Sequence, residues 1–195
     1  MTTGPAYQDL AAFKLPKGFR GRSAVWVQLW WLVEGSLFRF SPQFLYGFRR
    51  FLLRAFGAKI GKDARIRPTV RTRFPWKVEI EDRVWVGDDV ELYSLGPIRI
   101  GHDSVISQRS YLCAATHLMD RTDFAIEARA IDIASEVWLA ADVFVHPGLH
   151  IARGCVVAAR STVTKDLTCE GAVYAGTPAV LTKKSRRALP LKAVV

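Results

Sequence analysis

Residues 133–163 read IASEVWLAADVFVHPGLHIARGCVVAARSTV, and an aliphatic residue recurs at every sixth position. The recurring residues are Ile133, Leu139, Val145, Ile151, Val157 and Val163. A helix face repeats its apolar residues at spacings of three and four, so a period of six does not fit a helix. It fits a chain that turns a corner after every short strand and closes a coil with three strands. The stretch therefore predicts stacked coils with the aliphatic residues pointing to the axis.

The same period extends toward the N-terminus from this stretch. It recurs in the sets Ile60 and Ile66, then Ile80, Val86 and Leu92, then Ile100, Ile106 and Leu112. Two longer gaps contain residues 74–77 (FPWK) and 94–97 (SLGP), which are typical of short loops at a corner. We expect an all-β chain folded as a parallel β-helix. A β-sandwich is the alternative, but nothing in its strand alternation maintains a period of six.

The period breaks at residues 113–120, which read CAATHLMD, and resumes near Ile133. We therefore predict a loop excursion at 113–132 within a β-helix that covers 58–166. Residues 1–57 form a helical and aromatic N-terminal segment in this interpretation, and 167–195 form a C-terminal loop and basic tail. A chain of 195 residues fits one domain with such appendages.

The N-terminal segment is rich in aromatic and basic residues. Residues 23–33 (SAVWVQLWWLV) are too few to span a membrane comfortably, because Glu34 and Gly35 interrupt the apolar run. Ser41 and Pro42 predict the start of a second helix, and Gly57 its end. Two interpretations stay open: the helices pack against the coils or a neighbouring subunit, or they contact an anionic membrane as a peripheral surface.

The formal net charge of +10 indicates anionic partners, such as a phosphorylated cofactor, a nucleotide- or lipid-linked sugar, a membrane face or nucleic acid. No nucleic-acid-binding motif is present, which disfavours the last class. Three cysteines without a CxxC spacing indicate neither a disulfide framework nor a zinc site, and we expect Cys155 and Cys169 to be small buried residues. Residues 1–14 lack the apolar core of a signal peptide, so the expected location is the cytoplasm.

Several strings resemble the left-handed β-helix, or hexapeptide-repeat, O-acetyltransferases, and most closely their colanic-acid biosynthesis group. They are RFLLR at 50–54, FGAKIG at 56–61, VWVG at 84–87, ELY at 91–93, LGPI at 95–98, ISQ at 106–108, VVAARS at 156–161, VTKD at 163–166 and GTPA at 176–179. The resemblance implies a left-handed coil, against the usual right-handed crossover, and a homotrimer with active sites between subunits. It also implies acetyl-CoA as co-substrate, no metal, and a sugar or polysaccharide-precursor hydroxyl as acceptor.

The resemblance also assigns roles to individual residues. His117 corresponds to the general base, Ala141 and Ala159 to backbone donors for the oxyanion and the pantetheine arm, and Thr164, Lys165 and Lys183 to contacts with coenzyme A. Histidine suits this role because its pKa lies near neutral pH. Acceptor contacts are assigned to Trp76, Tyr93 and Asp120 from their places near corner loops.

The chain departs from the family pattern next to the base. Leu118 occupies the position where many relatives have an acid, so a carboxylate elsewhere or a backbone carbonyl must orient His117. His146 replaces a common glycine and is either a solvent-facing residue or a second polar group at the acceptor cleft. Four histidines do not match the spacing of a three-histidine zinc site. Acetylation of an amine or a small xenobiotic, and a catalytically silent scaffold, remain as alternatives.

Overall fold

The computed structural model describes residues 6–186, which form a parallel β-helix behind two helices. The helices are α1 (Ala24–Val33) and α2 (Tyr46–Ala55), with short helical turns at Leu10–Ala12, Glu34–Phe38 and Pro75–Lys77. The first three coils contain β1 (Lys59–Ile60), β2 (Arg65–Ile66), β3 (Arg71–Thr72), β4 (Val78–Ile80), β5 (Trp85–Val86), β6 (Glu91–Tyr93), β7 (Ile98–Ile100), β8 (Val105–Ile106) and β9 (Tyr111–Cys113).

A hairpin then leaves the coils, formed by β10 (Ala115–His117) and β11 (Ile126–Ala128). Two further coils contain β12 (Ile131–Ile133), β13 (Trp138–Leu139), β14 (Phe144–Val145), β15 (His150–Ile151), β16 (Val156–Val157) and β17 (Thr162–Val163). The strands β18 (Ala172–Ala175) and β19 (Val180–Ser185) end the described chain. The excursion predicted from the broken period is therefore this hairpin.

Three parallel sheets form the three faces of the β-helix. Face A has the order β1-β4-β7-β12-β15, face B has β2-β5-β8-β13-β16 followed by β18 and the antiparallel β19, and face C has β3-β6-β9-β14-β17. The registers place the period-six residues directly above one another, as in Ile100, Ile133 and Ile151. All six aliphatic residues of the 133–163 stretch are 0% exposed, which confirms the predicted axis. Burying each such side chain stabilises the fold by roughly 1.5–3 kcal/mol.

The two helices cap the open end of the first coil. Amide N–H groups of each coil donate to axis-residue carbonyls of the following coil, as Gly61 N does to Ile80 O at 2.7 Å. The matching carbonyls of the first coil therefore have no preceding strand to pair with. Side chains of the cap supply the donors on all three faces: Arg54 to Ile60 O, Arg49 to Ile66 O, and Trp30 to Thr72 O. A β-helix edge left open would present unpaired groups for aggregation.

Arg49 explains why α2 begins later than predicted. The helix starts at Tyr46 and not at Ser41 and Pro42. The Ser41 hydroxyl accepts a hydrogen bond from Arg49 at 2.8 Å and donates one to Phe38 O at 2.7 Å, so it anchors the arginine and does not cap a helix. The predicted end at Gly57 is confirmed, because α2 ends at Ala55 and Gly57 follows with φ 93°.

The prediction for Cys169 was wrong. Cys155 is buried, but Cys169 is exposed in the loop between β17 and β18, where its carbonyl lies 3.2 Å from the Cys155 thiol. The loop lies outside the last complete coil, so no further coil covers the Cys169 side chain. Among residues 6–186, no helix is both long enough and apolar enough to cross a membrane.

Candidate functional site

The hairpin that carries His117 leaves the β-helix between face C and face A. Its strands pair Ala115 with Ala128, Thr116 with Glu127, and His117 with Ile126. Gly96 lies under its base, where a Cβ atom would come within 2.5 Å of Ala114 O. The hairpin can therefore pack closely against the preceding coil only because residue 96 has no side chain.

The imidazole of His117 is held by the residue at the far end of the hairpin turn. Its Nδ1 atom lies 2.8 Å from Phe124 O. Because a carbonyl oxygen can only accept, Nδ1 carries a proton, and in the neutral imidazole Nε2 therefore carries the lone pair. The Phe124 ring stacks on the imidazole with centroids 3.8 Å apart and planes 13° apart. Phe124 itself has φ 50°, in the left-handed region, which brings both its ring and its carbonyl to His117.

This geometry identifies which of the open alternatives orients the histidine. The carboxylate of Asp123 is paired with Arg121 at 2.6 Å and makes no hydrogen bond to the imidazole. Asp120 lies exposed at the turn. A backbone carbonyl, Phe124 O, therefore orients the imidazole. Nothing in the sequence indicates Phe124, because the contact depends on how the turn closes.

The extreme N-terminal part of the described chain supports the hairpin. The amide of Asp9 donates to Thr122 O at 2.6 Å, and the Phe13 ring lies 6.3 Å from the imidazole. Residues 9–13 thus lie beside the hairpin that carries His117.

Ala141 and Ala159 lie at one corner, between faces B and C, in successive coils. The Ala141 carbonyl accepts a hydrogen bond from Arg160 N at 2.9 Å, so backbone hydrogen bonds between the two coils continue through this corner. Within residues 6–186, the amide N–H groups of Ala141 and Ala159 have no acceptor. Both side chains are small, so a ligand can approach these two donors closely. The structure thus brings these two predicted residues together.

The other predicted coenzyme contacts lie elsewhere on the last coil. Thr164 and Lys165 are exposed at the corner that follows β17, one face away from Ala159. Lys183 is exposed on β19, the outermost strand of face B. The three side chains therefore surround the C-terminal end of the β-helix and do not form one contact cluster with Ala141.

The predicted acceptor residues occupy different environments. Trp76 donates its indole N–H to Arg20 O at 2.6 Å and stacks on Phe74, so its polar atom is already used within the chain. Tyr93 is half-buried on face C, with its ring 5.8 Å from that of Tyr111. Trp76 and Tyr93 both border a small apolar cluster that includes Ala115, at the start of the hairpin. Asp120 is apart from both, at the exposed turn.

A charged pocket beside Tyr93 was not predicted. It has a volume of about 220 Å³ and lies between the end of α1 and face C, and its lining includes Trp31, Glu34, Arg39, Arg71, Arg73 and Glu91. Burial raises the pKa of Glu34 to about 7, although the carboxylate accepts a hydrogen bond from Thr72 N. Burial also raises the pKa of Glu91. A lone glutamate within an aromatic segment gives no sequence signal for such a pocket.

The remaining histidines lie apart from His117. His102 Nδ1 lies 2.8 Å from Asp103, and His150 Nδ1 lies 2.9 Å from Asp132. His146 is exposed, with its ring edge-on to Phe144 at 5.1 Å. In the part of the chain that the structure describes, no group of three His, Cys, Asp or Glu side chains is placed to hold a metal ion.

Comparison with known proteins assigns the family. The sequence is 54% identical over 177 residues to the protein assigned to colanic acid biosynthesis as the acetyltransferase WcaF of Escherichia coli strain K12, covering 91% of this chain and 97% of that protein. The chain belongs to the colanic acid biosynthesis acetyltransferase family. Members of this family are acyltransferases, as the resemblance of the sequence strings predicted. No family model matches the sequence.

Solved structures similar to this family member show the same fold. A hexapeptide-repeat acetyltransferase of Vibrio cholerae, complexed with acetyl coenzyme A, has a TM-score of 0.77 and 24% identity, covering 86% of this chain and 92% of that one. A maltose O-acetyltransferase from Clostridium difficile 630 has a TM-score of 0.76 and 21% identity, covering 85% and 90%. The fold is thus a left-handed parallel β-helix, as predicted.

Proposed function

We propose that the protein transfers the acetyl group of acetyl-CoA to a sugar hydroxyl during synthesis of a cell-surface polysaccharide, with His117 as the general base. The proposal rests on the hydrogen bond from His117 Nδ1–H to Phe124 O, which places the lone pair of the neutral imidazole on Nε2, on a hairpin that projects from the coils. The family membership supports the reaction class. The relative named as a lipopolysaccharide O-acetyl transferase of Escherichia coli, 32% identical over 115 residues, supports a sugar hydroxyl as acceptor.

The reaction needs one proton to be moved as one bond forms. Nε2 accepts the proton of the sugar hydroxyl while the oxygen attacks the thioester carbonyl carbon, forming a C–O bond. The tetrahedral intermediate then expels the coenzyme A sulfur by breaking the C–S bond, and the imidazolium returns the proton to that sulfur. Phe124 O remains bonded to Nδ1–H throughout, so it keeps the ring oriented and stabilises its positive charge.

The unpaired amides of the B–C corner fit an extended acetyl-CoA arm. In the proposal, Ala141 N–H donates to the developing oxyanion and Ala159 N–H donates to a carbonyl of the pantetheine. Both groups lack an acceptor among residues 6–186, so binding replaces no hydrogen bond of the chain. Thr164, Lys165 and Lys183 are exposed at the end of the β-helix, where coenzyme A phosphates can reach them.

The proposed assembly is a homotrimer in which His117 of one subunit meets the Ala141 corner of its neighbour. Within one chain, the hairpin leaves between faces C and A, whereas Ala141 lies between faces B and C, so the two parts of the site lie at different corners. Tyr93 and Asp120 are proposed acceptor contacts, and Trp76 supports the first of these through their shared apolar cluster. We also propose a cytoplasmic location with peripheral contact to the inner membrane face.

The proposal is tested by measuring thiol release from acetyl-CoA with a panel of hydroxyl sugars, amino sugars and small amine acceptors. Transfer to a hydroxyl is expected, and release with amine acceptors alone would replace the proposal with N-acetylation. Calorimetry with coenzyme A distinguishes an enzyme from a catalytically silent scaffold. Absence of binding would favour a catalytically silent trimeric scaffold, whereas binding without turnover of any hydroxyl would refute the assigned acceptor class.

A further inference from the structure

The outer surfaces of α1 and α2 are apolar although nothing in the described chain covers them. On α1, Val25, Leu29 and Leu32 are exposed at spacings of four and three, so they form one stripe. The opposite side of the helix is also apolar, because Val27 and Trp30 are buried. A helix that is apolar on all sides is expected inside a protein core or against lipid.

The second helix presents phenylalanines outward and an arginine inward. Phe48 and Phe51 are three residues apart on α2 and exposed, whereas Arg49 is fully buried. Phe40 and Phe44, in the connection between the helices, are 80% and 77% exposed. We define the outer surface as Val25, Leu29, Leu32, Leu37, Phe40, Phe44, Phe48 and Phe51. Exposed apolar groups of this density mark an interaction site.

The surrounding charge identifies the class of partner. Residues 10–62 contain ten Lys and Arg residues but one acid, Glu34, against a net charge of +10 for the whole chain. That acid is turned inward onto Thr72 N. Among the described residues, Lys59 is the only one of these ten cations with a carboxylate at salt-bridge distance, Glu79 at 3.1 Å. Protruding aromatic side chains in a segment with an excess of cations over carboxylates fit an anionic lipid interface.

We propose that the outer surface of α1 and α2 docks on an anionic membrane. Phe40 and Phe44 insert between the lipids, and exposed cations beside them, such as Arg39, contact the headgroup phosphates. The helices cap the first coil, so the membrane lies beyond the N-terminal end of the β-helix. If the homotrimer of the proposed function forms with parallel coil axes, three such surfaces face the same way and bind together with increased avidity.

The test is co-sedimentation of the full chain with vesicles of equimolar phosphatidylglycerol and phosphatidylcholine, beside vesicles of phosphatidylcholine alone. Binding to the anionic vesicles that falls as salt rises is expected. The double variant Phe40→Ser/Phe44→Ser should lower the partition coefficient roughly a hundredfold, since each buried aromatic ring contributes about tenfold. The matched control is Val180→Ser/Leu181→Ser, which removes two exposed apolar residues from β19 and should leave binding unchanged.

Sedimentation of the same proteins without lipid distinguishes a membrane from a second copy of the chain as the partner of this surface. Equal vesicle binding by the wild type and the phenylalanine variant would overturn the proposal. A loss of oligomeric mass in the phenylalanine variant, with no vesicle binding by the wild type, would assign the surface to a second copy of the chain. Acetyl transfer to a free sugar in solution reports separately on the proposed function, because Phe40 and Phe44 have no part in it.

Discussion

Replacement of Arg49 by methionine tests whether the helical cap holds the first coil. Arg49 is 0% exposed and donates hydrogen bonds to Ile66 O at 2.6 Å, to Ser41 Oγ at 2.8 Å, to Pro42 O at 2.9 Å and to Gln43 O. None of these partners is a carboxylate. Burial of the guanidinium lowers its pKa, so the charge itself carries a desolvation cost.

The expected loss follows from which acceptors water can reach. Ile66 O is buried, and a buried acceptor left without a donor costs about 1–3 kcal/mol. Pro42 O and Gln43 O are partly exposed, so water replaces part of their loss. Methionine fills most of the volume and removes the desolvation cost. The net destabilisation of Arg49→Met is therefore about 2–4 kcal/mol.

The neighbouring residue provides the matched control. Among residues 6–186, Arg50 makes a single hydrogen bond, to Ala64 O at 3.0 Å, and it is partly exposed, so Arg50→Met should cost only about 0.5–1 kcal/mol. Urea unfolding at one protein concentration measures both variants. Hydrogen exchange at the amides of β1 and β2 then localises the effect, which should open these strands before the later coils. Equal midpoints and equal exchange in the two variants would refute the capping role of Arg49.

Three further predictions concern Glu34, Gly96 and the corner amides. The pKa of Glu34 is about 7 in the folded state and 4.5 in the unfolded state, so ionised Glu34 destabilises the fold increasingly as pH rises from about 4.5 to 7. Glu34→Gln should remove this pH dependence of the free energy of unfolding and gain about 3 kcal/mol at pH 8 in urea titrations. An unchanged pH dependence would contradict the buried site. Gly96→Ala should shift the hairpin, since the new Cβ would meet Ala114 O at 2.5 Å, and it should lower kcat more than the affinity for coenzyme A. A wild-type kcat in this variant would show that the base of the hairpin is not closely packed against Gly96. Ala141→Pro removes the proposed oxyanion donor and should lower kcat roughly 10²–10³-fold. A turn accepts proline at this position, because the next residue, Asp142, has φ 60°. Gln108→Pro, at the same corner one coil earlier, should leave kcat unchanged, and equal kcat in the two variants would remove Ala141 from the proposed site.

The β-helix could be predicted from the sequence because its core repeats one pattern, an aliphatic residue at every sixth position. Ile133 and each sixth residue after it point to the axis, so a linear period translates directly into a stacked column. The break at residues 113–132 likewise predicts an excursion, since no other segment of this length in the β-helix lacks the period. The hairpin pairing of Ala115 with Ala128 follows from that break only once the loop is folded.

The details of the cap and the site depend on contacts between residues distant in sequence. Arg49 meets Ile66 O, and Glu34 meets Thr72 N, through the packing of helices on the first coil, for which no local pattern exists. The contact of Phe124 with His117 could not be predicted from the sequence either. It depends on the Phe124 carbonyl and on a φ of 50°, neither of which is specific to phenylalanine. Trp76 was assigned to the acceptor from its place near a corner, but its indole donor bonds to Arg20 O.

The role of His117 as the base is tested most directly by comparing kcat/KM for acetyl transfer to a sugar hydroxyl in His117→Ala and in His102→Ala. His102 is a partly exposed histidine hydrogen-bonded to Asp103 on another part of the β-helix, so it controls for loss of any imidazole. We expect His117→Ala to lower kcat/KM roughly 10²–10⁴-fold while the oligomeric mass is unchanged, and His102→Ala to retain wild-type activity. Equal activity of the two variants would contradict the assignment of the base.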